Sequence, residues 1–109
     1  MAQLRGFHAH IYFDPPQLAQ AQDLAAWARE SFHCGVGHFH ERPVGPHPHG
    51  SCQLSLTPDQ FGQFAPWAAS HRGDLTIFAH GLSGDDLADH THHVVWFGPS
   101  EALDLSIFD

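Results

Sequence analysis

Residues 7–13, with the sequence FHAHIYF, alternate between two kinds of side chain. Successive side chains of a β-strand point to opposite faces, so this alternation predicts a strand with one face against a hydrophobic core. Every neighbouring element must then pack on its apolar side and accommodate imidazoles on the other. The core side carries Phe7, Ala9, Ile11 and Phe13, and the opposite side carries His8, His10 and Tyr12.

Two helices are predicted. Asp14 and Pro15 form a cap and a first turn, and apolar residues then recur at helical spacing up to an end near Cys34. A second helix opens with a capping box at residues 57–60, and Pro66 should kink or interrupt it because proline lacks the amide donor. Further strands are predicted at 36–41, 52–56, 74–80 and 92–97, with a possible sixth at 103–108.

The order β-α-β-β-α-β predicts an α+β, ferredoxin-like domain over residues 1–109, with both helices on one face of an antiparallel sheet and one or two extra C-terminal strands. We expect the first and third strands to lie side by side and parallel, with the fourth antiparallel beside the first and the second antiparallel beside the third. The start of the first strand, the end of the second, the start of the third and the end of the fourth would then meet at one edge. That edge would collect His8, His10, His40, the loop with His47 and His49, and His80.

Composition limits the classes of function. A chain of 109 residues suits one domain, and a formal net charge of −8 disfavours a nucleic-acid-binding surface. No apolar run approaches the roughly 20 residues of a membrane span, and the N-terminus lacks the apolar region of a signal peptide. We therefore expect a cytoplasmic protein that acts on a small molecule, with Cys34 and Cys52 as reduced thiols.

Histidine is the compositional outlier, with twelve residues. Imidazole is the commonest metal ligand, and residues two apart on a strand project side by side. The H-x-H pair His8 and His10, with His80 on a neighbouring strand, therefore predicts a metal-ligand set. His38 and His40 repeat the spacing on an edge strand, so we include His40 as a further ligand while one of the two is solvated.

The segment HERPVGPHPHG, residues 40–50, places three histidines among prolines and glycines. The prolines restrict the backbone, so His47 can be held over a site, whereas His49 has the weaker claim. Arg42 suits a substrate carboxylate, and a surface ion pair is an equally good interpretation.

Residues 84–93, GDDLADHTHH, follow His80 and should begin near the same edge. Asp85, Asp86 and Asp89 could supply one carboxylate ligand, orient a histidine or cap a helical turn. We favour capping for Asp85 and orientation of a histidine for Asp89, and we expect His90 to act as an acid or base. At most one of His92 and His93 should reach the site, because adjacent strand residues face opposite ways.

A mostly nitrogen-donor set suits Fe(II) or Zn(II), and dioxygen chemistry would require the iron. Two other functions stay open. One is a non-catalytic, His-rich metal-binding or buffering protein. The other is a cofactor-free dimeric α+β enzyme that uses histidines as acids and bases. The open face of the sheet carries aromatic side chains that need a cover, so we expect extra strands or a homodimer.

Four segments, in this order and spacing, resemble the DOPA 4,5-dioxygenases of fungi and bacteria. They are HAHIYFD at 8–14, HERPVGPHP at 40–48, the strand-terminal His80 and SGDDLADHTHHVVWFG at 83–98. The resemblance implies opening of an ortho-diphenol ring, in DOPA or another catechol, by O2 at a non-haem ferrous centre. In this frame His8, His10 and His80 are the expected ligands, His47 and His90 act as acid or base or as alternate ligands, and Arg42 contacts the substrate carboxylate. Whether a carboxylate completes the ligand set stays open.

Overall fold

The computed structural model describes residues 3–109 and contains five strands and three helices over that range. No helix in this part of the chain is long and apolar enough to cross a membrane. The elements are β1 (Phe7–Phe13), α1 (Leu18–Phe32), β2 (Gly35–His40), β3 (Gly50–Leu56), α2 (Pro58–His71), β4 (Thr76–Gly81), α3 (Asp86–Asp89) and β5 (Val94–Phe97).

The five strands form one antiparallel sheet in the order β2-β3-β1-β4-β5. The first four have the order expected of a ferredoxin-like domain, and β5 extends the sheet beyond β4. The α+β prediction is therefore confirmed, with one additional strand.

The predicted parallel pairing of the first and third strands is wrong. Phe7 pairs with Leu56 and Phe13 with Gly50, so β1 and β3 are antiparallel. The reason lies in the connections. The α1 crossover makes β2 run in the same direction as β1, and β3 then reverses direction before it inserts between them. The end of β2 therefore lies at the opposite edge of the sheet from the end of β4.

One face of the sheet packs against α1 and α2 as the alternation predicts. Ala9, Ile11 and Phe13 of β1 are buried in the core together with Ile77 and Ala79 of β4. Each helix contributes an apolar stripe, which includes Leu24 on α1 and Phe64 on α2. His8, His10 and Tyr12 consequently lie on the face away from the helices.

Two local predictions are corrected. Pro66 does not interrupt α2, which continues from Pro58 to His71. The residue four positions earlier is the exposed Gly62, whose carbonyl oxygen can be hydrated instead of accepting an amide hydrogen. The predicted sixth strand is a 3-10 turn, Leu105–Phe108, with Asp104 accepting a hydrogen bond from the amide of Ser106. That local hydrogen bond competes with strand pairing.

The open face of the sheet is partly covered by the chain itself. The 41–49 loop folds over it, and the backbone amide of Asp104 donates to the carbonyl oxygen of Pro46 at 2.9 Å. This contact joins the C-terminal segment to the loop. Phe108 then lies beside His90, with ring centroids 4.5 Å apart. The expected homodimer remains a prediction.

The core predicts a stability test on α2. Phe64 is fully buried and packs against Phe32, Trp67 and Phe97. Phe64→Ala should lower the free energy of unfolding by about 3–5 kcal/mol, because it removes a ring and leaves a cavity. The exposed neighbour Gln63→Ala should change it by less than about 0.5 kcal/mol. Urea denaturation measures both values, and equal losses would contradict the assigned core.

Candidate metal centre and cavity

Three histidines converge on the open face where β1 pairs with β4. His8 lies directly opposite His80 in the antiparallel register. His10 follows His8 on the same face and lies opposite Phe78. The predicted meeting of His8, His10 and His80 is therefore observed. This meeting depends only on the pairing of β1 with β4, and the antiparallel direction predicted for that pair is confirmed.

The donor atoms of these three residues are spaced for a metal ion. One ring nitrogen from each lies within 4.8 Å of the others, and His10 Nε2 is 3.1 Å from His80 Nε2. Two nitrogens bound to one ion at about 2.0–2.1 Å would be about 2.9–3.4 Å apart. The His10–His80 spacing fits that range, and a ring nitrogen of the half-buried His8 lies within 4.8 Å of both. The three imidazoles thus fit a divalent metal.

The backbone fixes the tautomer of His80. Its Nδ1 lies 3.1 Å from the carbonyl oxygen of Gly81, which can only accept a hydrogen bond. Nδ1 therefore carries the hydrogen, and Nε2 presents its lone pair toward His10. This is the arrangement in which the second ring nitrogen of a metal-binding histidine is held by an acceptor.

Burial keeps these imidazoles neutral. It lowers the pKa of His80 to about 4 and holds the pKa of His10 well below its usual value, and neighbouring histidines lower both further. The pKa of His8 is lowered as well, by burial and by His90. Metal ions bind the neutral form of imidazole, so the site does not need to lose protons to solvent first.

His47 reaches His8, His10 and His80, called the ligand group below, from the 41–49 loop. The loop leaves and re-enters the sheet at the edge where His40 pairs with Ser51, and it then folds back over the open face. His47 is buried there, with its ring 4.1 Å from that of His10. Burial lowers its pKa to about 4. The predicted proximity of His47 to the ligand group is thus observed, by a route other than the one expected.

Tyr12 holds the other side of His47. Its hydroxyl oxygen lies 2.8 Å from His47 Nδ1, and only 2% of the residue is exposed. Burial and the negative charge of Glu101 raise the pKa of this hydroxyl. The sequence predicts only that Tyr12 is an aromatic residue on the open face, and its contact with His47 is not predicted.

His90 lies on the opposite side of the ligand group, directly after α3. Its ring is 4.1 Å from that of His80, and its Nδ1 lies 2.7 Å from the carbonyl oxygen of Asp86. That carbonyl again requires Nδ1 to carry the hydrogen, so Nε2 presents a lone pair. His90 is therefore equipped to accept a proton or to bind a metal.

The five histidines His8, His10, His47, His80 and His90 border one cavity of about 230 Å³. This is smaller than the roughly 300–1,000 Å³ of pockets for drug-sized ligands. Of its other lining residues, only Asp86 is a site candidate from the sequence, as a possible carboxylate ligand, although Gln53 lies on the open face by simple alternation. They are Pro46, Gln53, Leu82, Asp86 and Phe108.

The carboxylates after β4 have local roles. Asp85 caps α3 by accepting a hydrogen bond from the amide of Ala88, as expected. Asp89 is buried and accepts hydrogen bonds from Ser83 and from His93 Nδ1, which fixes the segment that carries His90. Asp86 is the carboxylate that lines the cavity.

Two predicted site residues lie outside the group of histidines that borders the cavity. His40 is exposed at the opposite edge of the sheet from His80, because β3 is antiparallel to β1. The predicted meeting of His40 with His8, His10 and His80 at one edge is therefore wrong. Arg42 is exposed, forms no hydrogen bond or ion pair within residues 3–109, and does not line the cavity. His38 and His92 are exposed too.

His49 links three segments outside the cavity. Its Nδ1 lies 2.9 Å from a carboxylate oxygen of Asp14, and its Nε2 lies 2.6 Å from one of Glu101. The hydrogen bond to Glu101 raises the pKa of His49, and Asp14 adds to this against the effect of burial. The protonated ring thus joins the end of β1 and the 41–49 loop to the C-terminal segment.

Comparison with known proteins is consistent with this site. The sequence profile of the Dopa 4,5-dioxygenase family matches residues 7–107. An uncharacterised 21.2 kDa protein of Botryotinia fuckeliana is 36% identical, over 95% of this chain and 64% of that protein. A DOPA 4,5-dioxygenase of Amanita muscaria is 29% identical, over 96% of this chain and 50% of that enzyme. The chain thus spans about half to two thirds of the length of these relatives.

A solved structure has the same fold. The crystal structure of a protein from Nostoc punctiforme, provisionally described as a dioxygenase, matches with a TM-score of 0.81 at 36% identity. The match covers 94% of this chain and 90% of that one. The similarity therefore extends over both the sheet and the segments that border the cavity.

The cluster predicts one divalent ion per chain. Zn(II), used as a redox-stable probe, should bind with a stoichiometry near one, and His80→Ala should weaken binding by at least about 100-fold because it removes a donor. His40→Ala is the matched control and should bind like the unchanged protein. Isothermal titration calorimetry measures both. Retained binding in His80→Ala with loss in His40→Ala would reverse the assignment.

The His49 link predicts a pH-dependent stability. A raised pKa in the folded state means that the contribution is complete below the unfolded pKa of about 6.5 and is lost as pH rises through the folded pKa. His49→Gln should therefore lower Tm by about 2–4 °C near pH 5.5 and by much less near pH 8.5. Thermal melts of this variant and of the exposed His92→Gln test it. A loss independent of pH would show that the charge does not contribute.

Proposed function

Because the chain belongs to the Dopa 4,5-dioxygenase family, we propose that it is an extradiol-type dioxygenase that opens the ring of DOPA or a related catechol with O2. The observation that carries this proposal is the group of three metal-spaced histidines in a cavity that two further histidines border. The substrates, an aromatic diphenol and O2, are inferred from the family.

The metal proposed for this site is Fe(II), held by His8, His10 and His80. Fe(II) would supply the binding and one-electron chemistry that dioxygen requires, whereas Zn(II) could occupy the same nitrogens without redox activity. Three imidazoles add no negative charge to the ion. Asp86 is the one carboxylate that lines the cavity.

The cavity favours a small aromatic substrate. Its volume of about 230 Å³ suits a single ring with a short side chain better than a drug-sized ligand. Leu82, Pro46 and Phe108 offer apolar contacts, and Gln53 offers an amide that can donate to or accept from a hydroxyl. We assign these residues to substrate orientation.

His47 and His90 are assigned to proton transfer. Ring opening of a diphenol requires that its hydroxyl protons leave and that a proton returns to an oxygen later, and a positioned imidazole can serve in both steps. Both residues border the cavity beside the ligand group. The His90 Nε2 lone pair, fixed by the Asp86 carbonyl, suits it to take the proton.

Arg42 is retained as the contact for a substrate carboxylate. It would have to reach the cavity from an exposed position on the 41–49 loop. The proposal therefore predicts that Arg42→Gln raises KM for DOPA and leaves KM for catechol, which has no carboxylate, nearly unchanged. A homodimer in the cytoplasm is likewise proposed, from the aromatic open face and the composition.

Activity provides the main test. Anaerobic loading with Fe(II), followed by DOPA or simple catechols and air, should give a yellow ring-cleavage chromophore with one O2 consumed per substrate. His10→Ala should abolish both signals because it removes a ligand, and His90→Gln should reduce kcat about 10²–10⁴-fold. His38→Ala is exposed and should retain full activity.

The outcome separates the three functions. Absence of O2 uptake across a catechol panel, with iron verified as bound, would refute the dioxygenase. Several metal ions per chain without O2 uptake would indicate a buffering protein. Turnover that survives chelation of the metal would indicate a cofactor-free enzyme.

A further inference from the structure

We propose that Tyr12 is a positioning residue that fixes His47 in the tautomer with hydrogen on Nε2, so that His47 acts as a hydrogen-bond donor toward oxygen atoms in the cavity. The catalytic use of this donor rests on the proposed function. The tautomer itself does not, because it follows from the contacts of the two residues.

The first observation is that Tyr12 and His47 are paired in a buried place. The Tyr12 hydroxyl lies 2.8 Å from His47 Nδ1, with 2% of Tyr12 and 9% of His47 exposed. His47 Nδ1 is the only hydrogen-bond partner of that hydroxyl within residues 3–109. The geometry alone allows either atom to donate, because a phenol and a neutral imidazole nitrogen can each do both.

Burial decides the direction. If His47 Nδ1 donated to Tyr12, the phenolic hydrogen would have no acceptor among the side chains and backbone of residues 3–109, and a buried donor without an acceptor is unfavourable. If Tyr12 donates, its hydrogen and the Nδ1 lone pair are both satisfied. The neutral ring must then carry its hydrogen on Nε2.

The second observation locates that Nε2. No buried side-chain nitrogen or oxygen within residues 3–109 lacks a hydrogen-bond partner. His47 Nε2 has no partner, so this nitrogen must be accessible, and the residue lines the cavity beside the ligand group. Its N–H is thus free to donate to a molecule bound there.

The partner of Nδ1 distinguishes His47 from its neighbours. His80 and His90 place Nδ1 against the backbone carbonyl oxygens of Gly81 and Asp86, which can only accept. Both rings therefore present an Nε2 lone pair. His47, held by a hydroxyl that donates, presents a hydrogen instead. Of these three rings, two thus present a lone pair and one presents an N–H.

An N–H donor has a specific use in this reaction. The oxygens of a diphenol become more negative as their protons leave, and a fixed donor in a site with little water stabilises such charge without reorganisation. No lysine or arginine lines the cavity, so His47 is the donor best placed among its histidines. The N–H of His47 would stabilise the diphenol oxygens after their protons have left, whereas His90 would accept such a proton.

Tyr12 also packs against Phe78 and Trp96, so a purely structural role must be separated from this one. Tyr12→Phe keeps the ring and removes only the hydroxyl. Thr76→Val is the matched control, because Thr76 pairs with Tyr12 across β1 and β4 and forms no side-chain hydrogen bond within residues 3–109. It likewise removes one hydroxyl from the same region.

The tautomer can be measured in the metal-free protein. Long-range ¹H–¹⁵N correlation spectra at neutral pH, with His47 identified through His47→Gln, should show hydrogen on Nε2 in the unchanged protein and in Thr76→Val. In Tyr12→Phe the hydrogen should redistribute between the two nitrogens. Hydrogen on Nδ1 in the unchanged protein, or an unaltered pattern in Tyr12→Phe, would overturn the inference, whatever the activity of the iron form.

Kinetics of the iron-loaded enzyme test the use of the donor. Tyr12→Phe should lower kcat about 10-fold or more with little change in KM, and Thr76→Val should do neither. The double variant Tyr12→Phe/His47→Gln should be no slower than His47→Gln, because Tyr12 acts through His47. Additive losses would overturn that part. If the unchanged enzyme opens no catechol, the proposed function fails and the spectra alone decide the tautomer.

Discussion

The site depends on the antiparallel register between β1 and β4. This register places His8 opposite His80 and leaves His10 two residues further along the same face. A shift of one residue would turn every histidine of β1 into the core and every apolar residue onto the open face. The buried side chains Ala9, Ile11 and Phe13 prevent such a shift, because they fit only against the helices. The hydrophobic core thus fixes the positions of the three metal-spaced histidines on the reverse side of the sheet.

The open face carries histidines as well as aromatic side chains, and His10, His47 and His80 are buried there. The 41–49 loop and the C-terminal segment lie over it, and the contact between Pro46 and Asp104 joins the two. Burial under this cover lowers the pKa values of His47 and His80, and for His80 this outweighs the opposite effect of Asp89. The same cover shapes a small cavity and brings Phe108 to its rim. The cover over the open face thus keeps the imidazoles neutral and also limits the size of the cavity.

The alternation of FHAHIYF and the ferredoxin-like order of elements together predicted the metal-spaced group, since the first assigned the faces and the second placed β4 beside β1. The placement of His40 failed because it required the direction of β3, which the alternation does not specify. His47 was chosen for its proline-rich loop, yet its position depends on how that loop folds back over the sheet. Phe108 could not be found, because its segment has the apolar spacing of a strand and becomes a turn through a local aspartate hydrogen bond.

A count of histidines says little about what each one does, because the two nitrogens of imidazole exchange roles with their partners. A carbonyl oxygen that accepts from Nδ1 leaves a lone pair on Nε2. A buried hydroxyl that donates to Nδ1 leaves a hydrogen on Nε2. His80 and His90 are of the first kind and His47 is of the second. The difference arises from the backbone carbonyl oxygens beside His80 and His90 and from Tyr12 on β1 beside His47. Function at this site is therefore set by the atoms behind the histidines as much as by the histidines themselves.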